Sequence, residues 1–356
     1  MANESDYPEW QAATERITGS GGLALVIGPP DTGKTTFCRV LALQALAQGR
    51  SVAIVDADTG QSELGPPSCV SVAVLQAPFE RLSDLQPDMT AFVGSVSPRY
   101  GTIEHLAAVC RAVGYARSRH PDLIVCDTTG YVRGLTAKRL KRAKIEALQP
   151  EHVVRLSRRP PATGSEAPPK RPEIHDLPVP AAIVPKPPPL RARRREARFE
   201  RVFAASVVRT WALDSVQLHG TWLGSGKPLM AAALAQLSRR LRAATRYGEV
   251  SSGHLGIVVG AMPRRDAVEQ AARELYGAAD VSVTHEANLD QLLVGLHDGE
   301  GAFVGLGRIT AVDWAGRALH IATATHSHSI VRSIHFGLAR VNASGQTLGV
   351  LWPGDV

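Results

Sequence analysis

The chain has 356 residues, 44% of them hydrophobic and 21% charged, with a formal net charge of +7. This length suits two or three domains with ample core, and no apolar run approaches the length of a membrane span. The four widely spaced cysteines are typical of reduced, buried side chains rather than disulfides or zinc ligands. The acidic, polar N-terminus does not resemble a secretory signal, so we expect a cytoplasmic enzyme with no membrane partner.

The first predicted element, an apolar strand at residues 23–27, leads directly into the sequence G-P-P-D-T-G-K-T-T at residues 28–36. A helix is predicted over residues 37–48, with Gly49 as its stop. This order of strand, loop and helix is the context in which G-x-x-x-x-G-K-[ST] binds the phosphates of a nucleoside triphosphate. We expect the nucleotide to contact Gly28, Pro29, Pro30, Asp31, Thr32, Gly33, Lys34, Thr35 and Thr36.

Three carboxylates follow the next predicted strands. The strand at residues 51–55 is followed by Asp56 and Asp58, and the strand at residues 123–126 by Asp127. Carboxylates at the ends of parallel strands can hold Mg²⁺ or accept the proton of an incoming hydroxyl. For any one of them, an Asx turn or a helix cap is the alternative. The predicted magnesium ligands are Thr35, Asp56, Asp58 and Asp127.

Strands and helices continue to alternate, with a strand at 91–93, helices at 103–117 and 139–148, and a strand at 152–154. This alternation predicts an α/β fold, a doubly wound parallel sheet of the P-loop NTPase type. Residues 158–190 hold 11 of the 24 prolines, which indicates an extended linker, and a very basic helix is predicted at 190–203. Beyond it we expect two helices, at 229–243 and 265–276. The expected strands of a small sheet or barrel are 303–308, 318–323 and 338–341.

The predicted organisation therefore has four parts. They are an N-terminal segment at 1–20, a P-loop core at 21–157, a Pro-rich connection with a basic helix at 158–203, and the rest of the core with a smaller β-rich C-terminal domain at 204–356.

The positive charge is concentrated in one part of the chain. Residues 131–210 contain 19 Lys and Arg against seven Asp and Glu, a net charge of +12, whereas the rest of the chain carries −5. A basic block beside a nucleotide site is typical of a polyanionic second substrate such as a nucleic acid. Charge alone fits a solvated helix face with a basic linker equally well.

Several motifs accompany the phosphate loop, which has the form G-P-x-D-x-G-K-[ST]-[ST]. D-x-G-Q occurs at 58–61, G-S-x-S-P at 94–98, and a sequence of the form [ND]-T-x-G-[WY]-[VI]-x-G at 127–134. Arg191, Arg195 and Arg198 are spaced along the basic helix and are followed by Phe203. Together, these motifs resemble the polynucleotide 5′-hydroxyl kinases of RNA processing, the family of the mRNA cleavage-factor, tRNA-splicing and pre-rRNA-processing kinases, in which the motif at 127–134 is the clasp and the arginines belong to a lid helix. Tyr131 replaces the usual clasp Trp, and the β-rich N-terminal domain of eukaryotic members is not found.

The resemblance implies transfer of the γ-phosphate of ATP (or GTP) to the 5′-hydroxyl end of RNA, with DNA as a further candidate acceptor and Mg²⁺ as cofactor, in RNA processing or repair. Protein partners are not indicated. Asp58 would be the general base. The implied catalytic residues are Lys34, Asp58, Asp56, Arg195, Arg191 and Arg198. Gln61 and Thr128 would position a phosphate or the incoming end, and the residues that would bind substrate are Ser97, Arg99, Thr129 and Gly130.

The alternative function is an NTP-hydrolysing switch of the signal-recognition and septum-site ATPase class, because K-T-T and a distal D-T-T-G occur there too. Its guanine-selective members need an [NT]-K-x-D motif, which this sequence lacks, and the D-x-G-Q motif favours the kinase. A non-catalytic RNA-binding scaffold is disfavoured by the intact acidic groups. Separately, His320, His326, His328 and His335 could bind zinc, although an ordinary polar sheet face accounts for them as well.

Overall fold

Residues 7–158, 172–325 and 328–356 are described by the structure, which is a computed structural model of the chain. The chain divides into two units, Met1–Arg198 and Phe199–Val356. Each unit has its own clusters of buried apolar side chains. Among the described residues, no helix is long and apolar enough to cross a membrane.

The first unit is built on one sheet. Its strands are β1 (Gly22–Ile27), β2 (Val52–Ala57), β3 (Cys69–Leu75), β4 (Met89–Phe92), β5 (Leu123–Thr128), β6 (His152–Ser157) and β7 (Glu173–Pro178). Their order across the sheet is β4-β3-β2-β5-β1-β6-β7. Strands β2 and β5 lie in the interior of the sheet and are buried along their whole length. Burial on both faces explains why their sequences are nearly continuous apolar runs.

Helices cover both faces of this sheet. They are α1 (Gln11–Ser20), α2 (Lys34–Ala47), α3 (Thr102–Ser118) and α4 (Leu135–Leu148). A further helix, α5 (Pro188–Phe203), follows β7 in the chain. Helices α1 and α2 contribute to one apolar cluster, and α3 and α4 to the cluster on the opposite face. The predicted doubly wound P-loop fold is therefore confirmed.

The sheet is mixed at one edge rather than parallel throughout. Strand β3, which the sequence did not predict, runs antiparallel to β2, and β4 runs antiparallel to β3. The connection between β2 and β3 spans residues 58–68, which is shorter than the dozen or more residues that a parallel crossover needs. The chain therefore turns back on itself, and the D-x-G-Q motif lies in this turn.

The Pro-rich region is not an extended linker throughout. Residues 159–171 lie outside the described part of the chain, but Glu173–Pro178 forms β7, which pairs in parallel with β6 at the edge of the sheet. Its proline is the last residue of an edge strand, where a missing N–H removes no bond from the ladder.

The second unit is rich in β-structure, as predicted. Its strands are β8 (Val207–Ala212), β9 (Gln217–His219), β10 (Lys227–Pro228), β11 (Thr245–Ser251), β12 (His254–Val259), β13 (Asp280–His285), β14 (Leu292–His297), β15 (Phe303–Asp313), β16 (Ala318–Thr323), β17 (Ser333–Val341) and β18 (Thr347–Val350). One sheet has the order β10-β11-β12-β13, and the other has the order β18-β17-β14-β15-β16-β8, with β9 paired to β17. The helices are α6 (Ala231–Leu241), α7 (Arg265–Tyr276) and α8 (Glu286–Leu289).

Helices α3 and α4 meet through a buried polar pair. Lys144 on α4 is fully buried, and its Nζ lies 2.8 Å from Nε2 of His105 on α3, which is also buried. Burial lowers the pKa of Lys144 to about 8, and burial together with the charge of Lys144 lowers the pKa of His105. A neutral imidazole can accept a hydrogen bond from the lysine, so the cost of burying the ammonium group is only partly offset.

This pair gives a prediction about pH. Between about pH 8 and the ordinary lysine pKa of 10.5, the folded state has lost the Lys144 proton and the unfolded state still holds it, so stability rises with pH. The gain over this range is about 3 kcal/mol. In Lys144→Met this gain should be absent. The free energy of unfolding of the wild type, relative to that of the variant, should therefore rise by that amount between pH 7 and pH 10.5.

Urea unfolding of both proteins across this pH range measures the difference, in which the contributions of titrating groups that do not interact with Lys144 cancel. Lys138→Met is the matched control, since Lys138 lies exposed on the same helix. A difference between wild type and Lys144→Met that does not change with pH would contradict the prediction.

Candidate active site

The phosphate loop has the backbone that its glycines allow. Gly33 adopts φ +82° at the start of α2, a conformation that favours glycine. A Cβ at Gly28 would lie 2.7 Å from the carbonyl oxygen of Leu156, so only glycine fits against the end of β6. Lys34 is 6% exposed, and its Nζ donates to the carbonyl of Pro29 at 2.9 Å. The loop therefore curls around its own lysine, with Thr36 half-buried in the first turn of α2.

Asp127, at the end of β5, faces this loop. The Thr35 hydroxyl donates to its Oδ2 at 2.5 Å, while Oδ1 is buried and has no hydrogen-bond partner among the described residues. Burial raises the pKa of Asp127 to about 7, an effect that the charge of Lys34 opposes and those of Asp56 and Asp58 reinforce. A buried carboxylate oxygen without a partner, beside a hydroxyl, is the donor chemistry that Mg²⁺ prefers, so these residues fit the ion.

The two aspartates after β2 have different surroundings. Oδ2 of Asp56 accepts hydrogen bonds from the Ser62 hydroxyl and from the N–H groups of Glu63 and Leu64, and Oδ1 accepts one from the N–H of Asp58. Burial raises the pKa of Asp56, and these backbone bonds oppose the rise. The structure thus places Asp56, predicted as a metal ligand, beneath the D-x-G-Q loop, where its oxygens hold the loop in shape.

Asp58 is half-buried at the start of that loop. Its Oδ1 accepts the N–H groups of Gly60 and Gln61, both at 3.2 Å, in an Asx turn. Within the described part of the chain, Oδ2 accepts no hydrogen bond. The turn therefore fixes the carboxylate by one oxygen and presents the other.

The beginning of α5 is attached to both loops. Arg191 Nη1 lies 2.5 Å from Oδ2 of Asp31 in the phosphate loop, and the Arg191 carbonyl accepts Nε2 of Gln61 at 3.1 Å. Asp31 therefore has a structural partner on the predicted lid helix. One turn further along, Nε of Arg195 is buried without a partner among the residues that the structure describes. Burial lowers the pKa of this guanidinium, while the charges of Glu196 and Asp58 raise it. Arg198 is half-buried one turn beyond.

The predicted substrate residues lie in the two neighbouring loops. In the loop after β4, the Ser97 hydroxyl accepts the N–H of Arg99, whose exposed guanidinium lies 5.7 Å from the Tyr100 ring centre. This loop approaches the D-x-G-Q loop so closely that a Cβ at Gly60 would lie 2.8 Å from the carbonyl of Val96. In the clasp, a Cβ at Gly130 would lie 2.7 Å from the backbone nitrogen of Pro30. The four motifs thus meet at one edge of the sheet.

Thr128, predicted to position a phosphate, points into the protein interior instead. Its hydroxyl donates to the Val26 carbonyl at 2.8 Å and accepts Nζ of Lys141 at 2.7 Å, and Lys141 also donates to the carbonyl of Thr129. The Thr129 hydroxyl is buried and has no hydrogen-bond partner within residues 7–158, 172–325 and 328–356. Burial lowers the pKa of Lys141, and the charges of Lys144 and Lys34 lower it further.

Lys141 and Lys144 are site residues that the sequence reasoning missed, since it assigned them to the basic block. Their helical position could have revealed them. The buried residues of α4 are Ala137, Leu140, Lys141, Lys144 and Leu148, a helical stripe in which the two lysines lie among apolar residues.

The histidines considered as a second metal site are only partly described. His326 and the side chain of His328 lie outside the described residues. His320 Nδ1 is 2.9 Å from the Thr210 hydroxyl, and the His335 ring packs against that of His297, with ring centres 3.9 Å apart. Zinc binding by this group stays a prediction.

The chain is similar to one family of known proteins. The sequence model of the family described as mRNA cleavage and polyadenylation factor CLP1 P-loop matches residues 28–205. The polyribonucleotide 5′-hydroxyl-kinase of Pyrococcus horikoshii is 30% identical over 348 residues, which are 95% of this chain and 92% of that protein. The enzyme of the same name from Thermococcus kodakarensis is 31% identical over 331 residues, which are 92% and 90%.

A solved structure shares the fold. The structure titled as an extended interface between Pcf11p and Clp1p aligns with 95% of this chain and 80% of its own, with a TM-score of 0.57 and 13% identity. The resemblance inferred from the motifs is therefore confirmed. Since the family's sequence model spans the phosphate loop to the end of the lid helix, and the archaeal relatives align over nearly their whole length, the chain belongs to the CLP1 P-loop family.

Proposed function

We propose that the chain is a polynucleotide 5′-hydroxyl kinase, which transfers the γ-phosphate of ATP to the 5′-hydroxyl end of an RNA during cytoplasmic RNA processing or repair. Relatives that align over nearly their whole length carry the corresponding name. The observation that carries the proposal is the meeting of the phosphate loop, the D-x-G-Q loop and the clasp. The Thr35 hydroxyl contacts Asp127, Gly130 packs against Pro30, and Arg191 joins Asp31 to Gln61. GTP as a donor and DNA as an acceptor belong to the same proposal.

The phosphate loop holds the donor. Lys34 and the loop N–H groups contact the β- and γ-phosphates, and the N-terminus of α2 adds a favourable dipole. Thr35 and Asp127 would hold Mg²⁺, since the threonine hydroxyl lies beside a carboxylate whose Oδ1 has no partner in the described part of the chain. When bound, Mg²⁺ neutralises part of the charge on the phosphates.

Asp58 takes the proton of the acceptor. As the 5′-oxygen bonds to the γ-phosphorus, the bond from this phosphorus to the bridging oxygen of ADP breaks, and Oδ2 of Asp58 accepts the hydroxyl proton. Asp56 does not take part directly. It is a positioning residue, because its carboxylate shapes the loop that carries Asp58.

Arginines of α5 balance the charge that develops during transfer. Arg195 is the leading candidate, because it lies one turn after Arg191 on α5 and its Nε is buried without a partner among the described residues. Arg191 and Gln61 tie the helix to the loops. Residues of the loop after β4, of the clasp and of α5 contact the RNA backbone, namely Ser97, Arg99, Thr129, Gly130 and Arg198.

End labelling tests the reaction and the base. With γ-labelled ATP and a 5′-hydroxyl RNA, the wild type should label the RNA, and Asp58→Asn should lower the rate by about 10²–10⁴-fold, the usual contribution of a general base. Asn keeps an oxygen to accept the turn's N–H groups, so the loop should survive. Lys34→Ala should lose at least about 100-fold through lost phosphate contacts.

Asp84→Asn is the matched control, because Asp84 is an exposed aspartate that undergoes the same chemical change. Wild-type labelling by Asp58→Asn would rule out Asp58 as the base. If the wild type released free phosphate and left the RNA unlabelled, the chain would be a switch instead.

A double-mutant cycle tests whether Asp31 anchors the lid helix. Arg191→Ala and Asp31→Ala should each lower kcat/KM for ATP, and their effects should not add. The expected coupling is about 1–2 kcal/mol, since the pair is only partly exposed, with 28% and 11% of the side chains accessible. Additive effects, measured by initial rates over a range of ATP concentrations, would show that the two side chains act independently.

A further inference from the structure

A second group of polar side chains lies near the opposite end of the sheet from the phosphate loop. His152 is the first residue of β6, and it is paired in register with Glu173, the first residue of β7. His175 follows two residues later, so it lies on the same face as Glu173. The ligand atoms of these three side chains all lie within 4.8 Å of one another.

Each ring nitrogen of His152 has a polar neighbour. Ser20 Oγ, in α1, lies 2.8 Å from Nε2 of His152. On the other side of the ring, Nδ1 of His152 lies 3.1 Å from Nε2 of His175. A neighbour that holds one ring nitrogen while the other nitrogen faces a further ligand is the arrangement of metal-binding histidines.

Glu173 is oriented in a similar way. Its Oε1 forms an ion pair with Nε of Arg16, 2.7 Å away, and its Oε2 lies 3.8 Å from Nδ1 of His152, too far for a hydrogen bond. Nitrogen and oxygen ligands of a tetrahedral zinc ion are about 3.3–3.6 Å apart. The separations of 3.1 and 3.8 Å lie on either side of this range, and all three ligand atoms lie within 4.8 Å of one another, so the ion requires side-chain movements that draw the ligands together.

Burial and chemistry also suit a metal. His152 and His175 are 3% and 8% exposed. A buried pair of imidazoles beside a carboxylate offers three ligand atoms at one place, and imidazole nitrogen is a preferred zinc ligand. A simple hydrogen bond between the rings would explain the distance of 3.1 Å, but not the carboxylate held beside them by Arg16. Two imidazoles and a carboxylate are a common zinc donor set.

We propose that His152, Glu173 and His175 bind a Zn²⁺ ion that fastens the edge strand β7 to β6. In the bound state each imidazole is neutral and carries its one ring proton on the nitrogen that faces away from the ion, Nε2 in His152 and Nδ1 in His175. The other end of β7 leads towards the phosphate loop. The Pro178 carbonyl accepts Nε1 of Trp10, and Ile183 approaches Gly33. The ion would thus fix the strand through which the chain reaches the nucleotide site.

Zinc titration of the full chain tests this site. Excess Mg²⁺ occupies the oxygen ligands of the active site, and ZnCl₂ should then bind with one ion per chain and raise the melting temperature. Glu173→Gln and His175→Ala should weaken zinc binding at least about 10-fold. Ser20→Ala removes the hydroxyl beside Nε2 of His152 and should weaken zinc binding about 10–100-fold. Glu173 is half-exposed, so the Gln variant should fold. His254→Ala is the matched control, since His254 is also paired with a serine hydroxyl, that of Ser282.

Co²⁺ gives an independent readout, because its visible spectrum reports geometry and ligand type. The proposal predicts the absorption of a tetrahedral nitrogen and oxygen site, which Glu173→Gln should alter. A thiolate charge-transfer band, a lack of stoichiometric zinc binding, or equal affinity in the wild type and the three variants would overturn the proposal. None of these measurements depends on kinase activity.

Discussion

The site depends on one buried carboxylate at the end of an interior strand. The Asp127 side chain is almost completely buried, and among the described residues only the Thr35 hydroxyl donates a hydrogen bond to its carboxylate. Burying a carboxylate is costly unless charge or hydrogen bonds compensate it. Here Lys34 compensates in part, and two further aspartates add repulsion, so burial raises its pKa to about 7. The protein alone leaves this carboxylate incompletely satisfied, which is what a site for a cation requires.

Two buried lysines of α4 belong to the same network of charges as Asp127. Lys141 and Lys144 lie behind the clasp, and their charges interact with those of the carboxylates through the protein interior. Lys141 also fixes the hydroxyl and carbonyl oxygens of the residues after Asp127. The two aspartates that follow β2 have different tasks. Asp56 uses its oxygens to shape a loop, whereas Asp58, two residues on, presents one oxygen outward.

The sequence could predict what depends on neighbours along the chain. The phosphate loop, the D-x-G-Q motif and the apolar strands β1, β2 and β5 are local patterns, and the strands are unambiguous because both faces are buried. Orientation and long-range pairing could not be predicted in this way. Thr128 turns inward because Val26 and Lys141 lie there, and His152 meets Glu173 only through the register of β6 and β7. Once β3 is known to be a strand, the short connection from β2 explains why it runs antiparallel to β2.

Manganese binding measured by electron paramagnetic resonance tests the central role of Asp127 most directly, because Mn²⁺ substitutes for Mg²⁺ at oxygen sites. With ADP present, the wild type should bind one Mn²⁺ at the phosphate loop. Asp127→Asn should weaken this binding by at least about 10-fold, and Asp84→Asn, at an exposed position, should leave it unchanged. Equal Mn²⁺ affinity in the wild type and Asp127→Asn would contradict the account, because the buried carboxylate would then not be a ligand.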